Sequence, residues 1–240
     1  MTDFLDRIPG LAYATISGSK AYGVSVKNSD TDIRGFYMES IEDLMGIKKI
    51  KEQYEDKEND TVIFSFKKFV KLLANSNPNI IELLGTRQKD RLCVNSAAKR
   101  LLDNTNMFLS KKIYSSFEGF ATSLFYGAEK LWDTPLGRKN AMHCIRIYLM
   151  GIDILKRGEI NTYREKERDF LLSLRNGEIS FNRFGTYRDE LKYEIKREAF
   201  LLTKLPDQVN MEEINKLVQN IFFEYYNLEF ILLPEISFIR

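Results

Sequence analysis

The chain has 240 residues, of which 44% are hydrophobic and 12% aromatic, enough apolar material for one large domain or two compact ones and too much for default disorder. Its 36 basic and 34 acidic side chains leave a net charge of +2, which excludes a global polyanion-binding signature. Two cysteines are too few for a disulfide framework, no apolar run approaches membrane-spanning length, and the first residues lack a signal-peptide pattern; together these predict a cytoplasmic protein with no membrane partner.

In chain order, three short apolar runs predict strands at 11–17 (LAYATIS), 32–38 (DIRGFYM) and 61–66 (TVIFSF). Phe66, Phe69, Val70 and Leu73 then recur at helical spacing. Asn77 and Pro78 read as a cap and a first-turn proline, opening the short helix PNIIELL that Gly85 ends. Past residue 92 the strand signals fade, and helices are expected over 95–103, 110–132, 138–157, 165–175, 181–205 and 211–228. In the helix over 138–157, Ala141, Ile145, Tyr148, Ile152 and Leu155 form a buried stripe that Gly158 closes. Asn210 with Glu213 is an Asn-type capping box for the last helix. No repeat or low-complexity linker intervenes, so residues 1–92 and 93–240 are expected as two closely packed regions, the second helical.

Chemistry concentrates between Ile16 and Tyr37, in ISGSKAYGVSVKNSDTDIRGFY. A strand ending in Gly18-Ser19 and running into KAYG is a strand-turn-helix junction. Small residues there let backbone N–H groups approach an anion, the Ser19 hydroxyl can donate, and Lys20 adds positive charge. Further on, Asp30 and Asp32 stand two apart, which in an extended strand projects both carboxylates to one face. Paired carboxylates repel unless a cation lies between them, and hard ions such as Mg²⁺ or Mn²⁺ combine carboxylate with phosphate oxygens. A Gly-Ser turn alone is common, and an Asp-x-Asp pair alone is usually solvated. The two together have the layout needed to activate a nucleoside triphosphate.

These residues resemble the signature of the DNA polymerase beta nucleotidyltransferase superfamily, matched at Gly18, Ser19, Gly23, Ser29, Asp30 and Asp32. NPNIIELL (77–84), KNAMHCIRIYLMGIDILKRGEI (139–160) and LLSLRNGEIS (171–180) further resemble its RNA repair pathway branch, the likeness spanning most of residues 11–180. The resemblance implies an α+β fold: a small mixed-sheet polymerase beta-like catalytic domain over 1–92, and a helical domain over 93–240 that completes the nucleotide and acceptor cleft. It also implies three metal-binding carboxylates. Two carry over to Asp30 and Asp32; the third is sought in QYEDKENDTVIFSF, where Glu55, Asp56, Glu58 and Asp60 stand. Asp60 is the choice because it opens a strand, with Glu82 as its competitor. The other reading of Glu82 is a salt bridge to a neighbouring helix.

Lys139, the single histidine His143, and Arg146 share one face of their helix at i, i+4 and i+7. That face is expected to meet a triphosphate or a nucleic-acid backbone, the alternative for His143 being a structural role; zinc is not expected, for lack of a ligand cluster. Basic groups at Lys111-Lys112, Arg164/Lys166/Arg168 and Lys192/Lys196/Arg197 read as solvated faces or as a stripe for an RNA strand. Tyr114, Phe117 and Tyr126 read as core or as stacking residues beside that stripe. The expected activity is metal-dependent transfer of NMP from an NTP to a hydroxyl, with pyrophosphate released and an RNA 3′ end as the acceptor the branch implies. The rival readings are a protein or small-molecule acceptor, and a nucleotide-binding module without turnover. The sequence says nothing of oligomeric state.

Overall fold

The structure is a computed structural model that describes residues 2–27, 29–47 and 49–227. Five strands, β1 (Leu11–Ser17), β2 (Asp32–Tyr37), β3 (Gln53–Asp56), β4 (Thr61–Ser65) and β5 (Arg91–Val94), form one mixed sheet in the order β3-β4-β2-β1-β5. β2 and β4 run parallel and the other neighbours antiparallel. Eleven helices are described: α1 (Thr2–Asp6), α2 (Gly18–Tyr22), α3 (Ile41–Met45), α4 (Phe66–Ala74), α5 (Pro78–Leu84), α6 (Ser96–Asp103), α7 (Lys112–Lys130), α8 (Pro135–Arg157), α9 (Arg168–Asn176), α10 (Phe181–Arg197) and α11 (Met211–Tyr226). The fold is α+β, a mixed sheet followed by a mainly helical region. Among the described residues no helix is long and apolar enough to cross a membrane.

Alternation along the strands gives the sheet two faces. Ala14, Ile33, Tyr37 and Ile63 point to one, where Phe4 and Leu5 of α1 pack on a small cluster with Ile8. Tyr13 and Phe36 point to the other and join Phe66, Phe69 and Leu83 in the main core, which continues into the helices. Tyr13 fastens α5 to this face: its hydroxyl donates to the Leu83 carbonyl at 2.6 Å and pairs with Thr86 Oγ1 at 2.9 Å. Both groups are buried, so each must find such a partner.

α8 is the axis of the helical region. The expected stripe of Ala141, Ile145, Tyr148, Ile152 and Leu155 is buried, but so are Met142, Cys144, Ile147, Met150 and Ile154, because α7, α9 and α10 enclose the helix. It starts at Pro135, earlier than the spacing alone suggests, since Thr134 Oγ1 caps the Gly137 N–H at 3.1 Å and Pro135 occupies the first turn. Gly158, at φ +70°, closes it. Gly85 ends α5 for a different reason: a Cβ there would lie 2.1 Å from the Ile160 carbonyl oxygen, so glycine lets the chain leaving α8 pass close.

Several expected boundaries move. Phe66 begins α4 instead of ending a strand, because Ser65 Oγ accepts from Lys68 N at 3.3 Å. α10 stops at Arg197 and continues as a π-helical turn, Glu198–Leu202. β5 crosses position 92, where the composition changes. The last helix is described to Tyr226, and residue 228 of the expected range lies outside the described residues.

Candidate active site

β1 ends at Ser17, and the chain turns at once into α2. Gly18 takes the left-handed conformation at φ +64°, and a Cβ on it would sit 1.6 Å from Oδ2 of Asp32. The glycine therefore serves a purpose the sequence did not suggest: its bare Cα is the seat of the Asp32 carboxylate. Ser17 pairs with Asp32 in register, so the turn and the carboxylate meet at one end of adjacent strands. Ser19 is buried beneath the turn, and Lys20 donates to Thr31 Oγ1. The following loop is gripped by the helical region. Arg168 Nε donates to the Gly23 carbonyl at 2.9 Å, and Arg175 donates to the Val24 carbonyl at 2.7 Å and to Ser29 Oγ at 3.4 Å. Ser29 Oγ also accepts from Val26 N at 2.9 Å. Ser29 and Lys20 thus hold the loop together, and neither lines the cleft described below.

Asp32 opens β2 and Asp60 directly precedes the parallel β4, so their carboxylates stand side by side at the heads of neighbouring strands. Asp60 has φ +40°, a left-handed conformation that aspartate tolerates better than most residues. Its carbonyl accepts from Ile33 N at 3.1 Å and its Oδ1 ion-pairs with Arg34 Nη2 at 2.6 Å. Burial pushes the Asp32 carboxyl up to about 6, helped by the hydrogen bond and negative charge of Asp60, while Arg34 and Lys139 pull the other way. The Asp60 carboxyl is lowered, first by that same hydrogen bond and then, against its partial burial, by Arg34. Two carboxylates held side by side mark an excess of negative charge at one point.

Asp30 lies outside the paired part of β2. Pairing of β2 with β1 begins at Asp32, so Asp30 precedes the strand and the alternation expected to align the two does not reach it. It is exposed and does not line the cleft. Of the other acidic candidates, Asp56 accepts from Glu58 N, Asn59 N and Asn59 Nδ2, closing the β3–β4 turn.

A cleft of about 400 Å³ lies over these strand ends. Its floor is Ser17, Gly18, Asp32, Arg34 and Asp60; α5 contributes Asn79, Ile80 and Glu82, α7 Phe120 and Leu124, and α8 Lys139, His143 and Arg146. The face expected on α8 thus lines the cleft, but at different depths. Arg146 is buried and ion-paired with Glu82 at 2.7 Å; Glu82 also accepts from Tyr22 OH at 2.6 Å, and the guanidinium lies 3.6 Å over the Tyr22 ring. Glu82 is therefore engaged by a neighbouring helix, and the Arg146 charge is compensated. Burial, reinforced by Arg146, Lys139 and Arg175, holds the His143 imidazole well below its usual range, so it is neutral near pH 7. Lys139 has no carboxylate within ion-pair distance among the described residues.

Of the other groups singled out in the sequence, Arg164 is buried against Asp153 at 2.6 Å, and Phe117 is fully buried. Neither belongs to a solvated stripe. Arg34 was missed, although its place two residues after Asp32 puts it on the same strand face.

Among the described residues no three His, Cys, Asp or Glu side chains converge as a ready-made metal cage. The Asp32–Asp60 pair nevertheless fits a Mg²⁺-type ion, which binds through one or two carboxylates and completes its shell with water and phosphate oxygens.

A family model described as RlaP: RNA repair pathway DNA polymerase beta family matches residues 7–220, a span that includes every cleft residue named above. Comparisons with curated proteins and with solved structures give no match.

Proposed function

Because the chain belongs to the RNA repair pathway DNA polymerase beta family, we propose that it is a nucleotidyltransferase that moves NMP from an NTP to a hydroxyl acceptor, an RNA 3′ end, with release of pyrophosphate. The observation that carries this reading is the fit of Gly18 around Asp32, with Asp60 alongside at the mouth of one cleft. In it, residues 1–92 supply the chemistry, and residues 93–240 close the cleft. The turn at Gly18-Ser19 receives the β- and γ-phosphates, and Lys139 adds a positive charge felt by Asp32 and Asp60. Arg146 and His143 act from below, shaping the wall through Tyr22 and Glu82. Asp32 and Asp60 would hold the divalent cation, which when bound neutralises phosphate charge and favours attack at the α-phosphorus. Asp30, exposed and two residues before Asp32, is the further carboxylate of the motif.

The acceptor oxygen bonds to the α-phosphorus as the bond to the β-bridging oxygen breaks, and pyrophosphate leaves. The hydroxyl proton passes to Oδ2 of Asp60, whose Oδ1 is engaged by Arg34.

Incubation with each α-labelled NTP, Mg²⁺ or Mn²⁺ and mixed RNA tests the reading. Label is expected in RNA, with pyrophosphate released, and is expected to vanish in Asp32→Ala and Asp60→Ala. Label in protein instead of RNA, or binding with no pyrophosphate, would overturn it.

A further inference from the structure

A second groove lies away from the cleft, between α4 and α11. The two helices meet where the Phe66 and Phe222 rings pack edge-on, 5.4 Å between centres, and beside that contact a space of about 490 Å³ opens. Val70, Ala74 and Ile214 make its apolar floor, with Met211 and Val218 along the α11 side. Its charge is of one sign. Lys67, Lys71 and Lys112 line it, and among the described residues no Asp or Glu does. Lys112 Nζ donates to the neutral Asn75 amide at 2.8 Å, and Lys67 lies 5.9 Å over the Phe222 ring. An apolar floor ringed by cations is the complement of an acidic segment that carries bulky apolar side chains.

The chain itself carries such a segment. α3 buries none of its five residues, among them Glu42 and Asp43. Met45 at its end is 84% exposed, and Ile47 just beyond is fully exposed. The helix is nevertheless well formed, since Ser40 Oγ accepts from Asp43 N at 3.1 Å. Two bulky apolar side chains presented together to water beside two carboxylates mark a contact surface. α3 is kept from its own groove by the ridge of Lys67 and Lys71. That ridge lines the groove on one side and, on the other, a space that α3 borders through Asp43 and Leu44. Two carboxylates of that second space are engaged locally: Glu39 Oε1 accepts from Lys67 N at 2.9 Å, and Glu52 pairs with Lys68 at 3.1 Å.

The geometry points to a symmetric dimer in which α3 of each copy seats in the α4–α11 groove of the other. Met45 and Ile47 enter above the apolar floor, and Glu42 and Asp43 meet Lys71 and Lys112. Because α3 and the groove flank one ridge, they lie on the same side of the molecule. A single twofold axis beside that ridge therefore satisfies both contacts at once. None of these residues lines the catalytic cleft, so association is read independently of nucleotidyl transfer.

Sedimentation equilibrium of the intact chain without NTP tests this. The parent is expected to reach the mass of two chains as its concentration rises through the micromolar range, with association weakening as salt is added. Met45→Asp with Ile47→Asp, both at exposed positions, is expected to raise the dimer Kd at least about thirtyfold, the usual yield of a central anchor. An unchanged melting temperature of the dilute protein would show that this variant folds. Glu42→Lys/Asp43→Lys and Lys71→Glu/Lys112→Glu should each be monomeric alone. Mixed, the two should form a one-to-one heterodimer, because every contact then joins opposite charges. Only a contact between copies gives that recovery, so it separates the dimer from misfolding and from a contact within one chain. A parent that stays monomeric at high micromolar concentration, a Kd unmoved by the Asp substitutions, or mixed variants that stay apart would overturn the inference. Masses beyond two chains would indicate head-to-tail growth and overturn the twofold arrangement. A monomeric parent that binds single-stranded RNA, with binding lost in Lys71→Glu, would give the groove to another occupant and equally overturn it.

Discussion

Asp32→Asn is expected to separate the stability of the site from its activity. Asp32 is held up to about 6 from an ordinary 3.8, chiefly by burial and by Asp60. A raised carboxyl means that the folded chain keeps a proton the unfolded chain has released. The fold therefore suffers no penalty below about pH 4, loses stability as pH rises from 4 to 6, and carries the full penalty above that. About two pKa units correspond to roughly 3 kcal/mol at most; the group is only half-buried, and solvent screening reduces this to about 1–1.5 kcal/mol. Asparagine removes the charge, and its amide can donate to the Asp60 carboxylate. The variant should thus melt about 2–5 °C higher than the parent at pH 8 in metal-free buffer, with the gap closing near pH 4. Its turnover should fall roughly a thousandfold, the loss of several kcal/mol of charge stabilisation. Mg²⁺ should raise the parent's melting temperature and leave the variant's unchanged. A variant less stable than the parent at pH 8, or a stability difference that does not depend on pH, would refute the reasoning.

Two further outcomes follow from the same geometry. Gly18→Ala must accommodate φ +64° and a Cβ only 1.6 Å from Asp32 Oδ2, and should lose at least about 2 kcal/mol of stability along with turnover. In an Asp32→Ala background the loss from Gly18→Ala should shrink to about 1 kcal/mol, because only backbone strain remains; an undiminished loss in denaturant titration would contradict this packing. His143, the only histidine, should show a flat ring-proton NMR shift from pH 8 to 5.5 in the folded protein and a titration near 6.5 in urea. Its depressed folded value means that stability is present above the unfolded pKa and is lost as pH falls through it; a native titration near 6.5 would show an imidazole open to water.

The strands β1, β2 and β4 were legible because each is a run of β-branched, aromatic and small apolar residues framed by turn signals. β3 and β5 were not: QYED is polar, and in RLCV the exposed Leu92 and Val94 alternate with Arg91 and Cys93 on an edge strand that only pairing with β1 defines. At the site, Asp60 was legible as the residue opening a strand. Asp30 precedes β2, so the strand rule that would align it with Asp32 does not apply to it. The depth of Arg146 depends on Glu82, 64 positions away, a separation over which no local periodicity operates. The role of Gly18 as a seat for Asp32 likewise exists only once β1 and β2 have paired.

The grip of Arg168 and Arg175 on the loop at Gly23 and Val24 spans 145 and 151 residues of chain. During synthesis the five strands are complete once Val94 has emerged, but the loop between the Gly18 turn and Asp32 gains its anchors only after α9 has been made. Assembly of this chain is therefore ordered, with the sheet first and the hold on the loop last. A partly synthesised chain has the carboxylates and the glycine turn without the hold that fixes the loop between them, so under the proposed activity a chain could not consume a triphosphate before its helical region had been made.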